Sequence, residues 1–162
     1  MRRRRKHYKV VAIGGTFDVF HKGHEQLISK ALEIGQTVFI GVTSDGYAKK
    51  LGKSHPVQPY ASRVQEVRRF IKSRGRSGAA RTAPLHDPYG PAATRKDLEA
   101  LVISSNTLAN AVTLNQLRKA KHLRPLKIHR VRLARAEDGR PISSTRIRNG
   151  EIDPQGRVVR GN

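Results

Sequence analysis

Hydrophobic and polar positions along the chain switch repeatedly between a strand-like and a helix-like pattern. Residues 8–15 are an apolar run ending on two glycines, the pattern of a buried strand. In residues 22–34, KGHEQLISKALEI, Leu27, Ile28, Ala31 and Leu32 share one helical face, and Gly35 follows as a stop signal. TVFIGVTS, residues 37–44, is a second apolar strand. Two such strands bracketing one helix make a βαβ unit, which pairs its strands in parallel. Ser62, with Gln65 three residues on, predicts a capped helix start; Val64, Val67, Phe70 and Ile71 form its apolar face and Gly75 its end. A weak strand is expected near 80–86, a loop over DPYGPAAT (87–94), and a short helix capped by Thr94. A strand at 100–105, a helix over about 107–121, a strand at 126–133 and a short helix over 143–150 complete the pattern.

This alternation predicts an α/β fold: a single Rossmann-like, doubly wound domain with a parallel sheet of about five strands. Residues 8–153 are expected to form it, with a basic tail over 1–7 and a loose polar tail over 154–162. Ligands of such sheets bind at the C-terminal strand ends, where strand order reverses.

Charge adds a second constraint. The 162 residues carry 33 Lys+Arg against 12 Asp+Glu, a formal net charge of +21. Such a surface attracts polyanions, so non-specific electrostatic contact with nucleic acid is one expectation and an inert solvated surface the other. Cysteine is absent, which excludes disulfides, Cys-based zinc sites and a thiol nucleophile. No apolar run reaches the roughly 18 residues of a membrane span. The start MRRRRKHYKV runs into VVAIGG without a cleavage pattern, so a cytoplasmic protein is expected. A monomer is favoured slightly over a homo-oligomer.

Two clusters carry chemistry. The first is IGGTFDVFHKGH, residues 13–24. Gly14 and Gly15 close the first strand, where glycine lets a backbone approach a ligand. Neither GxGxxG nor GxxxxGK[ST] is present. His21 and His24 stand three apart at a helix start, whose N–H groups and dipole favour a phosphate. A metal site needs a third ligand, and Asp18 is the one acid on a plausible path. Thr16 adds a hydroxyl; Phe17, Val19 and Phe20 suit the core. The second cluster is PISSTRIR, residues 141–148, where Ser143, Ser144 and Thr145 open a helix followed by Arg146 and Arg148. Alone it reads as an ordinary cap with surface arginines; beside HKGH it reads as a second anion site.

HKGH resembles the HxGH signature of nucleotidyltransferases with a HIGH-type motif. VAIGGTFDVFHKGHEQLISKALEIG, IGVTSDGYAKKLGK, DPYGPA, LVISSNT and AEDGRPISSTRIRNGEID together resemble archaeal, eukaryotic-type phosphopantetheine adenylyltransferases over about residues 10–153. The pattern departs at Asn106, where the resemblance implies an acid. It implies adenylyl transfer from ATP to 4′-phosphopantetheine, with Mg²⁺ accompanying ATP and no protein metal ligands visible. It implies that Thr16 and His24 hold the reacting phosphates, that the backbone of Gly14, Gly15 and Phe17 lines the nucleotide with His21 and Gly23, and that Ser143, Ser144, Thr145 and Arg146 hold the β and γ phosphates. A lysine after the second strand is implied as a bridge between substrates; Lys49 and Lys50 both qualify. Asn115 and Arg118 are candidates for the acceptor side or, equally, a solvated helix face. A small nucleotidyltransferase with another substrate pair (CTP with a phospho-alcohol, or ATP with nicotinamide mononucleotide or FMN) is the alternative within enzymes. A basic nucleic-acid-binding protein on the same fold is the alternative outside them.

Overall fold

The computed structural model describes residues 7–52 and 55–161, without the Asn106 side chain; residues 1–6 of the basic tail expected over 1–7 lie outside the described residues. Five parallel strands, β1 (Tyr8–Gly15), β2 (Gly35–Thr43), β3 (Ala80–Leu85), β4 (Ala100–Ser104) and β5 (Lys127–Val131), are ordered β3-β2-β1-β4-β5. The order reverses between β1 and β4, so the crevice there is the place for a ligand. The helices are α1 (Lys22–Ile34), α2 (Asp45–Lys50), α3 (Tyr60–Ser73), α4 (Leu108–Ala120) and α5 (Ser144–Arg148).

Alternation along the strands builds two cores. Val11 and Ile13 of β1 pack with Val38, Ile40 and Val42 of β2 and with Ile28, Ala31, Val64, Val67 and Ile71 of α1 and α3. Ala12 and Phe39 face the other way, toward Leu114 of α4, Leu98 and Leu126. The sheet is therefore covered on both faces, as its near-continuous apolar strands require. Gly35 ends α1 and begins β2 in one step. A Cβ there would lie 2.8 Å from Val11 Cγ2, so close packing, not a left-handed turn, demands the glycine.

Three local expectations are corrected. α3 begins at Tyr60 with Pro59 as its cap, and Ser62 sits inside the first turn. The helix start is instead served by Asp45, which accepts from Tyr60 N at 2.9 Å. α2 was not foreseen; Ser44 caps it by accepting from Tyr47 N at 3.1 Å. Thr94 opens no helix, because it closes the 3₁₀ turn Gly90–Ala93 and the chain then runs to buried Leu98. The segment after residue 153 is polar but not loose. Ile152 bridges Val158, Glu137 N donates to Gly156 O, and Lys22 N at the start of α1 donates to Pro154 O at 2.9 Å. An unpaired N–H of a first helical turn needs an acceptor, and this segment supplies it. No described helix is long and apolar enough to cross a membrane.

Candidate active site

The two histidines of HKGH first do a structural job. His21 caps α1, its Nδ1 accepting from Gly23 N at 3.0 Å, and His24 Nδ1 accepts from His21 N at 3.2 Å. The result is a reciprocal capping box built from two imidazoles. The rings stack with centroids 3.7 Å apart and 19° between planes. Phe17 and Phe20 hold His24 from the side, at 5.3 and 5.5 Å. A Cβ on Gly23 would sit 2.9 Å from His21 Cε1, which explains the glycine between them. Because each Nδ1 accepts a backbone N–H, the ring proton of both neutral imidazoles is on Nε2. Burial lowers the His21 pKa to about 4 against the opposing charge of Asp18, so His21 is neutral at neutral pH.

The turn before them is strained. Phe17 and Val19 have φ of 55° and 46°, a left-handed conformation that costs a β-branched residue most. Asp18, between them, holds the turn. Its carboxylate is fully buried and takes Arg148 Nη2 at 3.0 Å on both oxygens and Gln58 N at 2.9 Å. Val19 N donates to Gln58 Oε1 at 3.1 Å, and Ser144 Oγ donates to Asp18 O at 2.6 Å. The two clusters of the sequence are thus joined through Asp18, across more than 120 residues. Arg63, also fully buried, braces the same end of the sheet. It donates to Thr16 O at 2.8 Å, Thr43 O at 2.6 Å, Gln58 O at 2.8 Å and Asp45 Oδ1 at 3.0 Å. Asp18 is committed to a guanidinium, and among the described residues no group of three His, Cys, Asp or Glu side chains could hold a metal.

Two clefts meet above the strand ends. One, of about 410 Å³, is bordered by His21, Gly23 and His24 on one side and Ser143, Ser144 and Thr145 on the other. The second, of about 290 Å³, is bordered by Gly14, Gly15 and Thr16 and by apolar residues including Phe39, Leu85, Leu101 and Leu114. Leu27 and Ser104 border both, so the clefts adjoin at the β1–β4 switch point. Thr16 Oγ1 lies 3.4 Å from Thr43 Oγ1. Phe17, expected to line the nucleotide through its backbone, borders neither cleft, and its ring is buried in the core. Ser143 caps α5 by accepting from Arg146 N at 3.3 Å.

Other expected site residues lie elsewhere. Arg146 is buried on the inner side of α5, donating to Glu151 at 2.8 Å, to Pro141 O at 3.0 Å and to Asp138. With two carboxylates neutralising it, its guanidinium braces the loop before α5 and does not border the cleft. Asn115 clasps Leu126 by its N–H and carbonyl, at 2.8 and 3.0 Å. Arg118 is fully buried and donates to the carbonyls of Arg124, Ala92 and Arg95. Neither lies on a solvated face or borders either cleft: both tie α4 to its flanking loops. Lys49 and Lys50 are exposed on the last turn of α2 and border neither cleft. Sequence reading missed the support Arg63, placed Arg148 in the second anion cluster where it instead pairs with Asp18, and weighed Asp18 as a possible metal ligand. The signal for Arg63 was present: it lies four residues before Val67, on the apolar face of α3.

Residues 12–150 match the cytidylyltransferase-like family. The chain is 40% identical over 156 residues to the phosphopantetheine adenylyltransferase of Methanothermobacter thermautotrophicus, covering 96% of this chain and 93% of that one. It is 44% identical over 151 residues to the enzyme of the same name from Methanosarcina barkeri, covering 91% of each. A solved structure of a protein of unknown function from Archaeoglobus fulgidus superposes with a TM-score of 0.66 at 34% identity, over 75% of this chain and 87% of that one. With a parallel sheet switched at β1–β4, an HxGH helix start and an ISST cap on one cleft, and these relatives along nearly its whole length, the chain belongs to the cytidylyltransferase-like nucleotidyltransferases, among the archaeal phosphopantetheine adenylyltransferases.

Proposed function

We propose that this protein transfers the adenylyl group of ATP to 4′-phosphopantetheine, giving dephospho-CoA and pyrophosphate in coenzyme A synthesis. The observation that carries the reading is the union of two clefts: one bordered by histidines, hydroxyls and Arg132 beside apolar residues such as Leu27 and Ile142, the other more apolar, adjoining at Leu27 and Ser104. The first suits a triphosphate and the second an elongated, partly apolar acceptor.

The chemistry asks little of the protein in proton transfer. An acceptor phosphate oxygen, already ionised at neutral pH, attacks the α-phosphorus in line. The bond from the α-phosphorus to the bridging oxygen breaks, and pyrophosphate leaves with the electron pair. Catalysis then consists of alignment and of donors aimed where charge develops. His24 is assigned the α-phosphoryl, with Nε2–H as donor, and His21, held neutral, the adjoining phosphate oxygens. Ser143 and Thr145 hydroxyls serve the β and γ phosphates. Ser144, already donating to Asp18 O, fixes α5 against the histidine turn. Thr16 and the glycine backbone of β1 line the point where the clefts join. For Lys49 or Lys50 to bridge the substrates, α2 has to tilt inward. Mg²⁺ arriving with ATP is expected to be held by phosphate and water oxygens. A cytoplasmic location, where ATP is available, goes with this reading.

The test is turnover with ATP and 4′-phosphopantetheine, following pyrophosphate release and identifying dephospho-CoA by mass. Faster release with nicotinamide mononucleotide or FMN, or with CTP and a phospho-alcohol, overturns the assignment.

A further inference from the structure

We infer that His55 is a third histidine of the triphosphate cleft, one that binds ATP through its phosphates and leaves the acceptor untouched. The inference rests on the reading of ATP as substrate and deepens it. His55 borders the same cleft as His21, His24 and Ser143–Thr145, yet it comes from the loop between α2 and α3 and so adds a wall that neither sequence cluster supplies. Its ring is partly buried, with 17% of the side chain exposed.

The ring's orientation follows from its partners. Nδ1 lies 3.3 Å from Pro56 O and 3.8 Å from the nearer oxygen of Asp18. A carbonyl can only accept, so Nδ1 carries a proton and faces Pro56 and the Asp18 carboxylate. Nε2 lies on the far side of the ring from Asp18. A phosphate oxygen on that side of the ring would lie within its reach, so the imidazole is set between the Asp18 carboxylate and the ligand. The charged and titratable groups around it are the Asp18 carboxylate and the Arg148 guanidinium bound to that carboxylate, with His21, His24 and Arg132 bordering the same cleft. A buried carboxylate this close to a triphosphate would repel it. Arg148, bound to both carboxylate oxygens, offsets that charge.

The loop does not need His55 to keep its shape. It is anchored at Gln58, whose N–H donates to Asp18 Oδ1 and whose carbonyl accepts from Arg63 Nε. Removing the imidazole therefore separates binding from folding.

The test compares the wild type with His55→Ala and His55→Lys by titration calorimetry, using ATP, tripolyphosphate and adenosine as ligands. His55→Ala is expected to weaken ATP and tripolyphosphate about tenfold, as for one charge-assisted hydrogen bond. Adenosine affinity stays unchanged. In turnover, KM for ATP rises, while KM for 4′-phosphopantetheine and the thermal midpoint hold. His55→Lys, which places a donor at the same position, recovers most of the tripolyphosphate affinity. Unchanged tripolyphosphate affinity in His55→Ala overturns the inference. So does an equal loss for adenosine, or a fall in thermal midpoint that accounts for the weaker binding. If the wild type binds ATP but does not adenylylate phosphopantetheine, the functional reading fails, and the tripolyphosphate comparison still judges His55.

Discussion

His21 offers a quantitative test of how the histidine pair is built. Its Nδ1 must stay unprotonated to accept from Gly23 N, and burial lowers its pKa from 6.5 to about 4. The folded value lies below the unfolded one, so the unfolded chain takes up the proton first. His21 therefore contributes stability that is complete above about pH 6.5 and is lost as pH falls from there toward 4. At about 1.4 kcal/mol per pH unit, the displacement is worth about 3 kcal/mol. His21→Asn keeps a side chain that caps helices well but does not titrate. Urea unfolding of both proteins at pH 7.5 and at pH 4 gives the comparison. Contributions from the other acids and histidines are common to both and cancel in the difference. The wild type is expected to lose about 3 kcal/mol more than His21→Asn between the two pH values. Parallel losses would refute the neutral cap, and with it the Nε2–H assignment for His21.

His24→Ala should lower kcat about 10²-fold, as for one lost transition-state donor, and cost about 1 kcal/mol of stability for the lost cap. Steady-state kinetics with both substrates decide it, and a loss under about threefold removes His24 from the chemistry. Arg148→Met strands the buried Asp18 carboxylate and should cost about 3 kcal/mol in denaturant unfolding, whereas Asp18→Asn with Arg148→Met should recover part of it; additive losses would show that the two are not coupled. Thr145→Ala should weaken ATP more than the acceptor, with equal weakening of both telling against its phosphate role. Arg118→Met should lower the thermal midpoint and leave KM for 4′-phosphopantetheine within about twofold, the expected result for a residue whose loss strands buried carbonyls. A raised KM at unchanged stability would return Arg118 to the acceptor site.

Much of this molecule was legible in one dimension because the physics involved is local. Strand and helix periods repeat within a few residues, so β1, α1 and β2 could be placed from VVAIGG, LISKAL and TVFIGV. HKGH and ISST mark helix starts by residue type alone, and each proved to be a cap. Caps supplied from elsewhere in the chain were not legible. Ser62 carried the capping signal, yet Asp45 took that position from another element.

The same limit governs the arginines. Arg63, Arg118, Arg146 and Arg148 look alike in sequence, a long cation beside apolar neighbours. Which of them faces a ligand depends on which carbonyls and carboxylates the folded backbone brings within reach. Arg118 meets three carbonyls, Arg146 meets Asp138 and Glu151, and Arg148 meets a carboxylate 130 residues away. Sequence by itself determined the five-stranded parallel sheet and the starts of α1 and α5, because each depends on near neighbours. Tertiary structure alone decided that Asp18 joins the two sequence clusters, that His55 borders their cleft and that Arg146 and Arg118 do not. Burial makes a polar group take whichever partner lies within about 3 Å, and that partner is set by the packing of distant elements.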